Sequence, residues 1–199
     1  MKDFQGRVAV VTGAASGIGY ALAERFAAEG MKLAIADIHE EALDAAASRL
    51  REGGAEVVAR PTDVTDAAAV EDLAQQVYRE YGAAHLVCNN AGLAAVTPDP
   101  TWELSLETWR AILNVNFFGI VHGIRAFVPR MLEAGSEGHI LNTASMAGLN
   151  IGGATMGPYS ASKHAVVSVT ESLYGELKAA NASVSASVLC PGWVNTDLG

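Results

Sequence analysis

The sequence has few of the residues on which disulfide-linked and metal-binding proteins depend. Only two of its 199 residues are cysteine, and both lie in apolar runs with no Cys-x-x-Cys pair. Two isolated thiols, Cys88 and Cys190, favour a reducing compartment over a disulfide framework, so we expect a cytoplasmic protein. The five histidines form no His-x-x-x-His pair and no Cys/His cluster. We therefore expect no metal centre.

Basic residues are also scarce. The chain has 13 lysines and arginines against 22 aspartates and glutamates, a formal net charge of −9. A surface for nucleic acid or an anionic membrane needs clustered basic residues, so we expect neither partner. An acidic chain can still bind an anionic small molecule, because backbone amides at a helix N-terminus hold phosphate. No run of 18 apolar residues and no signal-peptide pattern occurs, which predicts no membrane span.

Short apolar runs alternate with longer helical patterns along the whole chain. Continuous apolar strands between amphipathic helices predict an α/β fold, in which one doubly wound parallel sheet carries helices on both faces. Without repeats or linkers, residues 1–199 are predicted to form a single domain. We predict strands at 7–12, 32–37, 55–60, 85–89, 139–143 and 183–189, and helices at 17–29, 40–52, 66–81 (capped by Thr65), 105–133 (capped by Ser105) and 159–180.

A glycine-rich turn follows the first predicted strand and precedes the first predicted helix. Its sequence, Thr12-Gly13-Ala14-Ala15-Ser16-Gly17-Ile18-Gly19, has the spacing Gly-x-x-x-Gly-x-Gly rather than the commoner Gly-x-Gly-x-x-Gly. Glycine lets the backbone approach a pyrophosphate, and the helix start offers free amides and a positive dipole end. In this context the turn predicts a dinucleotide site, with a merely tight turn as the alternative.

An acidic residue stands where a dinucleotide's ribose is expected. Asp37 ends the second predicted strand, 18 positions past Gly19. A carboxylate there can accept hydrogen bonds from the ribose hydroxyls, and it repels a 2′-phosphate. No arginine occurs at Ala14–Ser16 or at Ile38, where a phosphorylated cofactor would need one. The pattern favours NAD over NADP, although His39 could supply some positive charge.

Tyr159 and Lys163 are four positions apart at the start of a predicted helix, so they share one face. A nearby ammonium favours the phenolate form of tyrosine, which suits a proton-transfer role. The Tyr-x-x-x-Lys spacing alone is a weak signal, because most occurrences of this pattern in proteins lie on an ordinary helix surface. Ser145 follows the fifth predicted strand, and Asn116 lies within the predicted long helix. Neither residue alone indicates a function.

Taken together, these features resemble the short-chain dehydrogenase/reductase family over essentially the whole chain. The resemblance implies a Rossmann-like domain with strand order 3-2-1-4-5-6 and hydride transfer between a nicotinamide and a carbonyl or alcohol carbon. It also implies a substrate-covering lid, a helix and a seventh strand after Gly199, which the 199 residues do not contain. The matching motifs are Thr12-Gly13-x-x-x-Gly17-x-Gly19, Asp63-Val64, Asn89-Asn90-Ala91-Gly92, Asn116, Ser145, Tyr159-x-x-x-Lys163 and Pro191-Gly192.

The resemblance also implies a role for each catalytic residue. Tyr159 is the general acid/base, and Lys163 stabilises its phenolate and binds the nicotinamide ribose. Ser145 donates a hydrogen bond to the substrate oxygen, and Asn116 holds a water that links Lys163 to solvent. The expected cofactor contacts are Thr12, Gly13, Ser16, Gly17, Ile18 and Gly19 at the turn, Asp37 and Ile38 at the ribose, Asp63, Val64 and Asn89 on the adenosine side, and Ala91, Gly92, Pro191, Gly192, Val194 and Thr196 near the nicotinamide, with Tyr159 and Lys163.

We therefore expect an NAD-dependent oxidoreductase that acts on a ketone or secondary alcohol. Apolar residues in the loops favour a hydrophobic substrate. A non-catalytic dinucleotide-binding regulator or scaffold is the alternative. A dehydratase or epimerase that keeps its NAD is a third reading, although such relatives usually carry a Gly-x-x-Gly-x-x-Gly turn and a longer chain.

Members of the family commonly pair helices across two-fold axes, so we expect a homo-oligomer, a tetramer or a dimer. The helices concerned are the long helix and the one that carries Tyr159. Small residues on both would let such helices approach closely, and packing against the chain's own sheet is the alternative use for them. These residues are Gly119, Gly123, Ala165, Ser168 and Gly175.

Overall fold

A six-stranded parallel sheet forms the centre of the protein. The computed structural model describes residues 3–93, 99–150 and 155–194. The strands pair in parallel in the order β3-β2-β1-β4-β5-β6, which confirms the predicted sheet topology. They are Val8–Thr12 (β1), Lys32–Asp37 (β2), Val57–Pro61 (β3), Leu86–Asn89 (β4), Gly138–Thr143 (β5) and Val184–Leu189 (β6).

Helices cover both faces of this sheet because its strands are apolar on both sides. Along β1, Val8 and Val10 belong to one core cluster, and Ala9 and Val11 to a second one. Such alternation follows from the two-residue period of a strand. The helices are Gly17–Ala28 (α1), Glu40–Glu52 (α2), Ala67–Tyr81 (α3), Leu106–Leu113 (α4), Gly119–Ala134 (α5) and Gly157–Ala179 (α6).

The cap of α3 differs from the sequence prediction. Asp66, not Thr65, is the N-cap, and its carboxylate accepts a hydrogen bond of 2.8 Å from the amide of Ala68. Thr65 instead donates through both its amide and its hydroxyl to Asp63. Both residue types can cap a helix, and the bond to Asp63 draws Thr65 into the preceding loop.

The predicted long helix is interrupted. A π-helical turn at Asn114–Phe118 separates α4 from α5, and the amide of Gly119 bonds to the carbonyl of Asn114 five residues earlier. Such insertions often mark functional sites, and this one contains Asn116. The cap of α4 is Ser105, as predicted, with its hydroxyl accepting from the amide of Thr108.

The segment Leu106–Ala134 is long and apolar enough to cross a membrane by length and composition alone. Its apolar character has a local explanation, because 44% of its most apolar stretch is buried inside the protein. Phe127 and Met131, for example, belong to the core cluster that covers one face of the sheet. The apolar side chains of this segment are therefore explained by its packing in the protein core.

Two of the glycines expected at a helix–helix interface pack inside the chain. A Cβ added to Gly119 would lie 2.8 Å from Val64, and one added to Gly123 would lie 2.0 Å from Asn89. Both glycines therefore let α5 approach the sheet and the loop after β3. Gly175, by contrast, has nothing within 4 Å of an added Cβ and is exposed.

Candidate active site

The carboxyl ends of β1, β4 and β5 are joined by a small polar network. The hydroxyl of Thr12 accepts hydrogen bonds from the amides of Asn90 (3.0 Å) and Ala91 (3.1 Å). The side chain of Asn90 donates to the carbonyl of Thr12 and accepts from the hydroxyl of Thr143, each at 3.1 Å. Thr12 is buried, and its hydroxyl binds the segment that follows β4. Asn90, which was not among the predicted contacts, is the centre of this network.

The glycines of the turn after β1 are required by its own geometry. Gly13 and Gly17 have φ angles of +66° and +54°, in the left-handed region that favours glycine. A Cβ on Gly19 would lie 2.0 Å from the carbonyl oxygen of Gly13, and one on Gly13 would lie 2.8 Å from Cα of Ala91. The turn is therefore as tight as the sequence predicts.

The first turn of α1 has the features of an anion site. Ser16 is its N-cap residue, and the side chain makes no capping hydrogen bond. The amide of Tyr20 bonds back to the carbonyl of Ser16 at 3.0 Å, which leaves the three preceding amides, those of residues 17–19, without a partner inside the helix. Together with the positive dipole end, these amides fit the pyrophosphate of a dinucleotide.

Asp37 stands beside this turn with a fixed orientation. One carboxylate oxygen accepts from the amide of Ala15 at 3.1 Å. The other accepts from the amide of His39 at 3.1 Å and lies equally far from its Nδ1. Ile38 between them is exposed. A negative charge is thereby held at the tip of β2, next to the glycine-rich turn.

The loop after β3 is anchored by α5. One carboxylate oxygen of Asp63 accepts both bonds from Thr65, each at 2.8 Å. Val64 is buried, and its carbonyl oxygen lies 2.8 Å from Nδ1 of His122 in α5. His122 lies 58 residues along the chain from Val64 and was not identified from the sequence.

Asn89 takes part in a buried network away from this loop. Its side-chain amide donates to Asn142 at 2.8 Å, and Asn142 in turn donates to the hydroxyl of Thr170 at 3.0 Å. Thr170 donates to the carbonyl of Val166 at 2.6 Å. The side chain of Asn89 is therefore part of the interior between β4, β5 and α6.

The structure brings Tyr159 and Lys163 together at the start of α6. Tyr159 is 9% exposed and Lys163 is 4% exposed. The ammonium of Lys163 lies 5.6 Å from the centre of the Tyr159 ring and donates to the carbonyl of Thr143 at 3.0 Å. Burial lowers the pKa of Lys163 to about 8, because the interior solvates a charge poorly.

Asn116 meets this pair from the π-helical turn. It is 0% exposed, and its carbonyl oxygen accepts from the amide of Leu93 at 2.7 Å. Its side-chain amide donates to the carbonyl of Leu93 (3.0 Å) and to the hydroxyl of Ser162 (3.1 Å). A Cβ on Gly92 would lie 3.2 Å from the Asn116 oxygen and 3.5 Å from Nζ of Lys163. Asn116 and Lys163 thus approach the same face of Gly92, where any larger residue would crowd them.

Ser145 follows β5 and caps the 3-10 turn Met146–Gly148. Its hydroxyl accepts from the amide of Ala147 at 3.1 Å and is only partly buried. The amide of Met146 donates to the carbonyl of Pro191 at 2.9 Å, which ties this turn to the loop after β6. Ser145 therefore stands at the same end of the sheet as Lys163.

The loop after β6 holds the last of the predicted contacts. Gly192 and Val194 are exposed, and an added Cβ on Gly192 would meet nothing within 4 Å. Thr196 lies outside the described residues. In the parts of the chain that the structure describes, no group of three or more His, Cys, Asp or Glu side chains is arranged to hold a metal ion.

Comparison with known proteins identifies relatives along the full chain. The family model for short chain dehydrogenases matches residues 7–199. The 1-deoxy-11-beta-hydroxypentalenate dehydrogenase of Streptomyces exfoliatus is 45% identical over 194 residues, which cover 98% of this chain and 70% of the relative. The CLA biosynthesis dehydrogenase/reductase of Lactiplantibacillus plantarum is 40% identical over 198 residues, which cover 100% of this chain and 68% of the relative.

A solved structure agrees with these relatives. A short chain dehydrogenase/reductase from Burkholderia phymatum, crystallised in complex with NAD, is similar with a TM-score of 0.96 and 47% sequence identity. The match covers 100% of this chain and 69% of that chain. On its sequence, its strand order and these matches, the chain belongs to the short-chain dehydrogenase/reductase family of oxidoreductases.

Proposed function

We propose that the protein transfers a hydride between NAD(H) and the carbonyl or secondary alcohol carbon of a hydrophobic substrate. The observation that carries the proposal is the approach of Lys163 and Asn116 to one face of Gly92, with the Tyr159 ring beside the ammonium. A buried ammonium next to a phenol is costly to fold and is typical of a functional site. Membership of an oxidoreductase family supports the same reading.

The chain's own residues fit a nicotinamide dinucleotide. In this proposal the first-turn amides of α1 hold the pyrophosphate, and Asp37, fixed beside the turn by the bond from the amide of Ala15, accepts from the ribose. Its charge favours NAD over NADP, because it repels a 2′-phosphate. Lys163 would bind the nicotinamide ribose near Gly92. When bound, the cofactor supplies or accepts the hydride.

Tyr159 exchanges a proton with the substrate oxygen in this proposal. The Lys163 ammonium lies 5.6 Å from the centre of the Tyr159 ring, so a positive charge stands beside the proposed acid/base. The hydroxyl of Ser145 donates a hydrogen bond to the substrate oxygen as negative charge develops there. Asn116 keeps the loop at Leu93 in place, and in this proposal it also holds a water that links Lys163 to solvent.

Exposed apolar side chains near the strand tips support a hydrophobic substrate. Leu149 and Trp193 are exposed, with Trp193 at 99%. We assign these two side chains to a substrate-binding surface, because larger apolar patches mark ligand or partner sites. The Streptomyces relative is named for a hydroxylated compound, 1-deoxy-11-beta-hydroxypentalenate. Ala94, Val96 and Ile151, which we also expect in the pocket, lie outside the described residues.

A homo-oligomer in a reducing, cytoplasmic compartment completes the proposal. Four large apolar side chains on the outer helices are exposed: Leu106, Phe118, Leu132 and Tyr174. Their burial between copies of the chain would remove apolar surface from water. The free thiols of Cys88 and Cys190 fit a reducing environment. Light scattering tests the first point, and a stable monomer would contradict it.

An absorbance assay over a panel of hydrophobic secondary alcohols with NAD, and of the matching ketones with NADH, tests the proposed function. We expect turnover with at least one member of the panel. Dinucleotide binding in a calorimeter without turnover on any member would contradict the proposal. That result would favour the alternative, a dinucleotide-binding regulator or scaffold.

A further inference from the structure

Ser162 joins two of the residues described above, although nothing in the sequence singled it out. It is 0% exposed and lies directly before Lys163 in α6. Its hydroxyl donates to the carbonyl of Tyr159 at 2.6 Å and accepts from the side-chain amide of Asn116 at 3.1 Å. Ser162 therefore bonds to the first turn of α6 and to the π-helical turn at once.

The first of these bonds determines the second. A hydroxyl has a single proton, and Ser162 donates it to the Tyr159 carbonyl. Only acceptor lone pairs remain, so the group that faces Ser162 must be a donor. Asn116 accordingly presents its NH2 group to Ser162. A reversed amide would place two oxygens together at Ser162 and two donors together at the amide of Leu93.

The orientation of Asn116 controls the loop after β4. With its NH2 group toward Ser162, the Asn116 oxygen accepts from the amide of Leu93 at 2.7 Å. Leu93 directly follows Gly92, and a Cβ added to Gly92 would lie 3.5 Å from Nζ of Lys163. The bonds thus form a continuous path from the Tyr159 carbonyl through Ser162 and Asn116 to this loop.

We propose that Ser162 is a positioning residue that aligns the Gly92–Leu93 loop with the first turn of α6. The inference rests on the proposed function, because that function assigns the cofactor to this loop and proton transfer to Tyr159. Ser162 touches neither cofactor nor substrate in this account. It acts through Asn116 and through the backbone of Tyr159.

The same helix contains a matched control. Thr170 lies two turns further along α6, donates to the carbonyl of Val166 at 2.6 Å and accepts from Asn142 at 3.0 Å. It is buried as completely as Ser162. Like Ser162, Thr170 donates to a backbone carbonyl and accepts from an asparagine side chain, but its asparagine, Asn142, lies in β5. Thr170→Val therefore removes equivalent bonds at a distance from the loop.

Steady-state kinetics separate positioning from general stability. We expect Ser162→Ala to lower kcat about tenfold, as loss of alignment worth one hydrogen bond would, with KM for NAD changed by less than about twofold. Ser162→Thr keeps the hydroxyl and should recover most of the lost kcat. Thr170→Val should unfold at a lower temperature than the wild type and keep its kcat. Equal kcat in Ser162→Ala and the wild type would overturn the proposal.

Hydrogen exchange at the Leu93 amide gives a readout that needs no turnover. In the cofactor-free protein, Ser162→Ala should raise its exchange rate about tenfold, because Asn116 then keeps its two bonds to Leu93 but loses the one that ties it to α6. Thr170→Val should leave it unchanged. An unchanged Leu93 rate in Ser162→Ala, or an equal rise in both variants, would refute the positioning role. Full turnover by Tyr159→Phe would instead refute the proposed function, so the two failures are distinguishable.

Discussion

The two ends of the same sheet use polar side chains in opposite ways. At the amino ends of the strands, polar groups are satisfied by their neighbours: Nδ1 of His85 accepts from the amide of Val8 at 3.1 Å, and Arg7 donates to the carbonyl of Glu137 at 3.3 Å. At the carboxyl ends, the Lys163 ammonium is buried, and burial lowers its pKa to about 8. One end stabilises the fold, and the other retains a charge at a cost to folding.

The comparison shows that the end of the sheet with the proposed site keeps a buried charge that lowers the stability of the fold. Buried charges are rare in proteins because their desolvation is unfavourable. The proposed function gives a chemical role to the one kept at the carboxyl end, the Lys163 ammonium beside the Tyr159 ring. The comparison also supplies controls, since each variant at the carboxyl end has a matched residue at the amino end.

The largest expected effect is on turnover. Tyr159→Phe removes the proposed acid/base and should lower kcat about 100- to 10,000-fold while NAD still binds, as measured by calorimetry. Tyr78→Phe is the matched change at the other end. In the described part of the chain the Tyr78 hydroxyl is buried without a hydrogen-bond partner, so its removal should leave kcat unchanged. Comparable losses in both variants would contradict the assignment.

Lys163→Met should abolish most turnover and stabilise the cofactor-free protein. The folded-state pKa of about 8 lies below the unfolded value of 10.5, so the unfolded state binds more protons between these values. Wild-type stability therefore rises with pH across this window. Urea unfolding should show Lys163→Met more stable at pH 7 by about 3 kcal/mol, a gain that disappears above about pH 10.5.

Lys32→Met is the control for this stability change. Lys32 begins β2, is partly exposed and pairs with Glu56 at 3.1 Å. Loss of an exposed ion pair should change stability by less than about 0.5 kcal/mol at either pH. An equal gain in both lysine variants, or a loss of stability in Lys163→Met at pH 7, would remove the proposed distinction between the two ends.

A smaller effect is expected on cofactor choice. Asp37→Asn keeps an oxygen for the amide of Ala15 but removes the charge, so the ratio of kcat/KM for NADP to that for NAD should rise about tenfold. Glu56→Gln removes a carboxylate at the amino end and should leave this ratio unchanged. A constant ratio in Asp37→Asn would show that Asp37 does not select the cofactor.

The smallest effect concerns acid stability at the amino end. Burial, followed by the charge of Arg7, lowers the pKa of His85 from its ordinary value of 6.5. Below that value the unfolded state binds more protons, so this contribution to stability is present above about pH 6.5 and is lost on acidification. His85→Asn should therefore lose less stability than the wild type between pH 7 and about pH 5, with unchanged kcat at pH 7. Identical pH profiles in urea unfolding would contradict this.

The sequence predicts most of the sheet and less of the connections within the site. The bounds of β2 and α2 agree with the predicted 32–37 and 40–52, since apolar periodicity is a local signal. Apolar periodicity does not predict the π-helical turn, because the sequence of Asn114–Phe118 fits an ordinary helical pattern. Tyr159 and Lys163 could be paired in advance because helix geometry brings residues four apart together.

Contacts between distant segments are what the sequence leaves undetermined. The Asn116–Ser162 bond spans 46 residues and the His122–Val64 contact spans 58. Asn90 belonged to a quoted motif, but its role at the tips of three strands depends on the folded register. The packing partners of Gly119 and Gly123 were likewise undetermined by the sequence. Their small size predicted close packing, and only the structure shows that the neighbour is the chain itself.

Hydride transfer itself is tested most directly by isotopic labelling. The protein is incubated with NAD and a hydrophobic secondary alcohol, taken from the panel, that carries deuterium on its carbinol carbon. Mass spectrometry then measures the reduced cofactor. The account predicts one deuterium on the nicotinamide ring in wild-type reactions and almost none in equal time with Tyr159→Phe. Reduced cofactor without deuterium, or bound NAD that is never reduced by any alcohol of the panel, would contradict it.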